Sequence, residues 1–335
     1  MSTSSAAVTP ERIMKFTWSY VPPLVLEAAI RHRVFDVLDA GPKTVKETAE
    51  ATGASERGLR IIMNVLVGLE FLAKVDAGRY ALTPESAAFL VSTKPGFQGG
   101  ILTHASRQLI PKWLKLTEIV GTGKPEAAVN QQGAGVEFFQ QFVTDIFPMS
   151  YPSAKVLAEH LQLKGDAKVL DLAAGSGVWG IALAQSSPGV TVTAVDWADV
   201  LPATQATVGR FGLTDRYTFV GGDLLEADFG HGHNVALLGH ILHSEGEARS
   251  RKLLKKTFDA LAPGATIAIG EFLVEDDRSG PLGSLFFAAN MLVNTDEGDT
   301  FSFAEISAWL KQAGFVDARL LDAPGPAPLV LATKS

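Results

Sequence analysis

The sequence predicts an α/β fold in which a helical N-terminal part precedes a mostly parallel sheet with an antiparallel last strand. Three observations carry this. From residue 166 onward, short apolar runs rich in β-branched residues (KVLDL, VTVTAV, YTFV, NVALLG, ATIAIGEF) alternate with helix-like stretches near 178–187, 200–211 and 247–261. Such alternation builds a parallel sheet covered on both faces. The tail differs, because VDARLL and LVLATK are joined only by DAPGPAP. That connection is too short for a parallel crossover, so the final pair is antiparallel. The first ninety residues carry helical periodicity and a single hairpin.

The N-terminal elements follow in order. Residues 11–40 place Leu24, Leu26, Ala28, Ala29, Ile30, Val34, Phe35 and Leu38 at helical spacing until Gly41-Pro42 stops the pattern. Thr44 with Glu47 forms a capping box for a short helix. Ser55 caps a long apolar helix running through Leu72. Extended pieces around Asp76-Ala77-Gly78 make a hairpin, and Thr83-Pro84-Glu85 opens another helix. This is the winged-helix order. The third helix carries only Arg57 and Arg60 as basic residues. A groove-reading helix needs a basic face, so burial in its own domain or against another subunit is expected instead.

In the middle stretch, LIPKWLKLTEIV and GVEFFQQFVTDIF read as helices separated by the loop GTGKPEAAVNQQGAG, with a third helix over 150–163. The expected domains are therefore 1–95 (winged helix), 96–165 (helical linker) and 166–335 (sheet). Composition narrows the function. Acids outnumber Lys plus Arg by 36 to 29, giving a net charge of −7, a poor surface for neutralising phosphates, so no nucleic-acid partner is expected. Cysteine is absent, which removes disulfides, thiol nucleophiles and thiolate metal sites. The start MSTSSAAVTPER lacks the apolar core of a signal peptide. No apolar run reaches the ~18–20 residues of a membrane helix. A cytoplasmic protein without membrane association is the expectation.

The chemistry is concentrated in LDLAAGSGVWG, residues 170–180. Read loosely it is GxGxxG, the dinucleotide fingerprint. Asp171, however, precedes Gly175 by four residues, and an anion there disfavours a pyrophosphate. It suits a cofactor with a cationic end and no phosphate, as in S-adenosylmethionine, while Gly175 and Gly177 let backbone approach the ligand. Asp196, ending the next strand in TAVDWAD, can accept both ribose hydroxyls. Asp223 in GGDLLEADF is placed for an adenine amino group, with Leu224 against the ring. Three acids at successive strand ends line the carboxyl edge of one sheet, the usual ligand side.

These words resemble the S-adenosylmethionine-dependent small-molecule O-methyltransferases, the family of plant caffeate and flavonoid enzymes and of many bacterial natural-product enzymes. The resemblance covers nearly the whole chain, through GLEFLAKVDAGRYALTPES, KWLKLTEIVGTGKP, KVLDLAAGSG, AVDWADV, GGDLLEADF, LGHILHSEGEA and LAPGATIAIGEF. It implies a Rossmann-like class I methyltransferase domain preceded by an α-helical winged-helix dimerisation domain, a homodimer, and a linker that contributes to the substrate pocket. It implies that Asp171, Gly175 and Gly177 form the cofactor loop, that Asp196 takes the ribose with Trp197 near the adenosine, and that Asp223 and Leu224 hold the adenine. Gly239 falls where the family places a residue near the cofactor. His243 matches the catalytic base and Glu271 the acid that orients it; no metal is implied, and S-adenosylhomocysteine is the product.

Two departures stand out. The family's LHDW is LHSE here, so Ser244 and Glu245 replace Asp and Trp, and the tryptophan's packing on adenine is lost or supplied elsewhere, as by Trp197. The second acid of the family corresponds to Thr300 in GDTFS, which leaves a two-acid clamp on the histidine open. The same register makes PLGSLFFAANMLVNTDEGD one wall of the acceptor pocket, with Phe286, Phe287, Asn290, Met291 and Asn294, and makes Met149 the opposite wall. An apolar lining with few polar groups suits a small hydroxylated aromatic acceptor. His240, one turn from His243 if the segment is helical, is the alternative base. N- or C-methylation on the same fold, and more remotely a winged-helix regulator, remain alternatives.

Overall fold

The computed structural model describes residues 8–130, 136–325 and 327–335. Residues 1–7 of the polar N-terminus, 131–135 of the expected loop and Pro326 of the final connection lie outside the described residues. The chain divides into two compact units, residues 1–110 and 111–335.

In the first unit, short turns at Glu11–Met14 and Lys15–Trp18 precede helices Val21–Arg31, Val34–Asp39, Val45–Thr52 and Glu56–Gly68. The run expected over 11–40 is thus divided, and Arg33, at φ +56°, makes the last break. Both the Thr44–Glu47 capping box and the Ser55 cap, which accepts from the Gly58 N–H, are present. The helix that Ser55 opens ends at Gly68 rather than Leu72, because Leu72 begins strand β1 (Leu72–Val75). β1 pairs antiparallel with β2 (Arg79–Leu82), and Thr83 caps helix Pro84–Phe89. Leu59, Met63 and Leu66, one stripe of helix 56–68, pack with Phe35, Leu38 and Tyr80 into this unit's core. Ile13, Met14, Phe16, Trp18 and Tyr20 are all more than half exposed.

The second unit is built on seven strands: β3 (Lys168–Leu172), β4 (Thr191–Asp196), β5 (Tyr217–Gly221), β6 (His233–Gly239), β7 (Leu261–Gly270), β8 (Phe315–Leu321) and β9 (Leu329–Lys334). Their order is β5-β4-β3-β6-β7-β9-β8. β9 alone runs opposite in direction to the other six strands, as the short final connection requires. Helices Phe147–Leu161, Val178–Ser186 and Leu201–Arg210 cover one face, and Leu242–Ala260 and Phe303–Ala313 cover the other. Strand alternation sends Leu170 and Leu172 to one core and Val169 to the other. Burying each such leucine contributes roughly 2 kcal/mol. The apolar segment after β7 is itself a helix, Leu282–Asn294. No described helix is long and apolar enough to cross a membrane.

Candidate active site

The candidate site lies at the carboxyl ends of β3 to β7, the edge where open α/β sheets take ligands. After Leu172 the chain turns through Ala173, Gly175 and Gly177, all left-handed, with φ of +52°, +53° and +75°. The Gly175 N–H donates to Asp196 Oδ2 at 2.8 Å, and the Thr204 hydroxyl donates to the Gly175 carbonyl at 2.6 Å. Asp171 shares the Val169 side of β3, so its carboxylate sits under the start of helix 178–186. There Oδ2 accepts from the Gly180 N–H at 3.0 Å, and Oδ1 has no hydrogen-bond partner. Burial pushes this carboxyl up to about 8, with the Gly180 bond opposing and the Asp196 charge adding.

Asp196 ends β4. Its Oδ1 accepts from the Trp197 N–H at 2.7 Å, and burial raises its pKa to about 6 against the two backbone hydrogen bonds. The Trp197 ring meets Phe139 edge-on, 5.9 Å between centroids. Asp223 follows β5, with Oδ1 accepting from the Leu225 N–H at 2.8 Å and Oδ2 from Arg249 Nη2 at 2.7 Å. Arg249 Nε also donates to Glu245 Oε2 at 2.5 Å. Leu224 is buried.

β6 ends at Gly239, where a Cβ would stand 2.0 Å from Trp179 Nε1. The indole reaching across from helix 178–186 therefore requires glycine. His240 has φ +65°, so it lies outside the helix that carries His243, and the one-turn relation considered for the two does not hold. Its ring packs 5.4 Å from Phe272 and 6.1 Å from Trp179. Burial lowers its pKa to about 4, which holds it neutral.

His243 and Glu271 come together from helix 242–260 and the residue after β7. His243 Nδ1 lies 2.8 Å from Glu271 Oε2, and the His243 backbone N–H donates to Oε1 at 3.2 Å. Burial acts to raise the Glu271 carboxyl, but the His243 charge and hydrogen bonds, helped by His240, bring it below its ordinary value. A neutral imidazole that donates its Nδ1–H to an ionised Glu271 keeps its lone pair on Nε2. Phe287 meets the imidazole edge-on at 4.8 Å and stacks on Phe272 at 4.0 Å.

Phe287, Asn290, Met291 and Asn294 form one stripe of helix 282–294. Asn290 Oδ1 accepts from Trp113 Nε1 at 3.3 Å, and Asn294 Oδ1 accepts from Lys112 Nζ at 3.0 Å. Phe286 is off this stripe and 59% exposed. Met149 stands on helix 147–161 and is 36% exposed. Thr300 is buried, and its N–H donates to Asp299 Oδ1. Among the described residues Glu271 supplies the only carboxylate on the His243 ring. Sequence reasoning did not single out Trp179, Phe272, Trp113 or Arg249. Arg249 alone left a signal there, the Glu245–Arg249 spacing of four.

A model of the O-methyltransferase domain matches residues 113–316, and one of the O-methyltransferase dimerisation domain matches residues 14–92. The chain belongs to the O-methyltransferase family. This methyltransferase is similar to the 3-hydroxy-5-methyl-1-naphthoate 3-O-methyltransferase of Streptomyces sahachiroi, 32% identical over 90% of this chain and 88% of the relative. The tetracenomycin polyketide synthesis 8-O-methyl transferase TcmO of Streptomyces glaucescens is 29% identical over 97% of each chain. Human N-acetylserotonin methyltransferase, solved with S-adenosylmethionine, shares the fold at a TM-score of 0.84, with 23% identity and all of both chains covered. S-adenosylmethionine is the methyl donor of the family.

Proposed function

We propose that this methyltransferase transfers the methyl group of S-adenosylmethionine to a hydroxyl of a small aromatic metabolite, with His243 as general base oriented by Glu271. The observation that carries it is the 2.8 Å contact between His243 Nδ1 and Glu271, which leaves Nε2 able to take a proton. The aromatic walls Phe272 and Phe287 beside the imidazole support a flat acceptor. So do the two Streptomyces relatives, whose names give a hydroxynaphthoate and a tetracenomycin polyketide. An exposed apolar N-terminal stretch within a dimerisation-domain match supports a homodimer.

The residues at the strand ends fit the donor. Its ribose hydroxyls and adenine amino group are hydrogen-bond donors, and Asp196 and Asp223 are acceptors at the ends of β4 and β5. Gly175, at φ +53°, holds a left-handed turn that strains a side chain, and an added Cβ would stand 3.4 Å from Val143. Asp196, with Trp197 beside it, would hold the ribose, Asp223 and Leu224 the adenine, and the Gly175–Gly177 turn the amino-acid end. Asp171 would steady that turn from beneath. When bound, S-adenosylmethionine supplies a methyl group already activated on a positively charged sulfur.

The protein's own work is alignment and proton removal. Holding nucleophile and methyl carbon in line is a large part of such a rate enhancement. A phenol with a pKa of ~10 is mostly protonated at neutral pH. His243 Nε2 accepts that proton as the oxygen–carbon bond forms, and Glu271 stabilises the resulting imidazolium. A radiolabelled methyl-transfer screen over phenolic and polyketide-like compounds, read by mass spectrometry, tests the activity. With an accepted substrate, His243→Ala should lower kcat by roughly 10²–10⁴-fold and leave S-adenosylhomocysteine binding within twofold. Full activity in that variant would refute the base assignment.

A further inference from the structure

Of the linked Glu245–Arg249–Asp223 group, that reading gives a role only to Asp223. Glu245 is 8% exposed, and its carboxylate is met by Arg249 Nε at 2.5 Å. The Nη2 of the same guanidinium reaches Asp223 Oδ2 at 2.7 Å, so one planar cation is pinned by a carboxylate on helix 242–260 and another beyond β5. Its orientation is therefore set, yet the Arg249 side chain remains 43% exposed. Asp223 keeps lone pairs to spare, because each carboxylate oxygen accepts more than one hydrogen bond. Beside it lies buried Leu224, an apolar neighbour for a flat ring.

A guanidinium stacks on aromatic faces, which an ammonium cannot do in the same way. One already locked in place loses little freedom on binding. We propose that Arg249 is the platform for the adenine of the cofactor: the ring lies on the guanidinium face and turns its amino edge toward Asp223. This rests on the cofactor reading above. It assigns the adenine a cationic support from helix 242–260, where Glu245 acts only through Arg249, as the residue that positions it.

Titration calorimetry with S-adenosylhomocysteine tests it on the full chain. Arg249→Ala should weaken affinity roughly five- to thirtyfold, the range of a partly desolvated cation–π contact. Arg249→Lys should lose nearly as much, since it keeps the charge but not the plane. The double variant E245Q/R249A removes the buried carboxylate that the single variant leaves uncompensated. It should bind as weakly as Arg249→Ala, with an unliganded melting temperature close to wild type. Free adenosine should lose the same factor across the series. Wild-type affinity in E245Q/R249A, or full recovery in Arg249→Lys, overturns the platform. Failure of the wild type to bind S-adenosylhomocysteine overturns the cofactor reading instead.

Discussion

His243 turns both its backbone N–H and its Nδ1 to one carboxylate, so the two oxygens of Glu271 are engaged by the same residue. Asp196 makes a second residue-scale prediction. Burial raises its pKa to about 6, so without ligand it holds a proton below that pH. In its proposed role, accepting two ribose hydroxyls requires the ionised form. Affinity for S-adenosylhomocysteine should therefore fall as the pH drops through 6, approaching tenfold per pH unit well below it. Calorimetry between pH 5 and 8 checks this, and Asp196→Asn should bind weakly with no inflection. The positions of these acids were legible because each ends an apolar run. The direction Asp171 faces was less legible, because the GxGxxG word beside it carries no information on strand parity. The period of two along β3, counted from Val169, puts it on the face that helix 178–186 covers.

Trp179 and Gly239 bind helix 178–186 to the end of β6. A methyl at 239 has nowhere to go, with the indole nitrogen 2.0 Å from its position. Gly239→Ala should destabilise the fold by about 1–3 kcal/mol, the usual cost of overpacking, read as a lower urea midpoint. Adding Trp179→Leu should recover part of the loss, a coupling that a double-mutant cycle measures. Most elements of the sheet were legible because buried parallel strands read as short β-branched runs. Helix 282–294 was not, since SLFFAANMLV is apolar at nearly every position and shows no clear stripe. The break between Arg31 and Val34 was hidden too, because Arg33 supplies it from the left-handed region without glycine.

At the scale of the whole molecule, the exposed side chains Phe16 and Trp18 fall inside the dimerisation-domain match. Replacing both with serine should shift sedimentation toward the monomer at micromolar concentration and leave the second unit's S-adenosylhomocysteine affinity unchanged. The strand order carries a consequence for synthesis. β9, residues 329–334, is inserted between β7 and β8, so the sheet's last strand in chain order fills an interior slot. Until then the flank of β7 stays open and β8 has no partner, an edge inviting association with other nascent chains. A version halted after Pro328 should accumulate as insoluble material. Supplying residues 329–335 in trans as a peptide should restore solubility, and a soluble, ligand-binding truncated chain would refute the expectation.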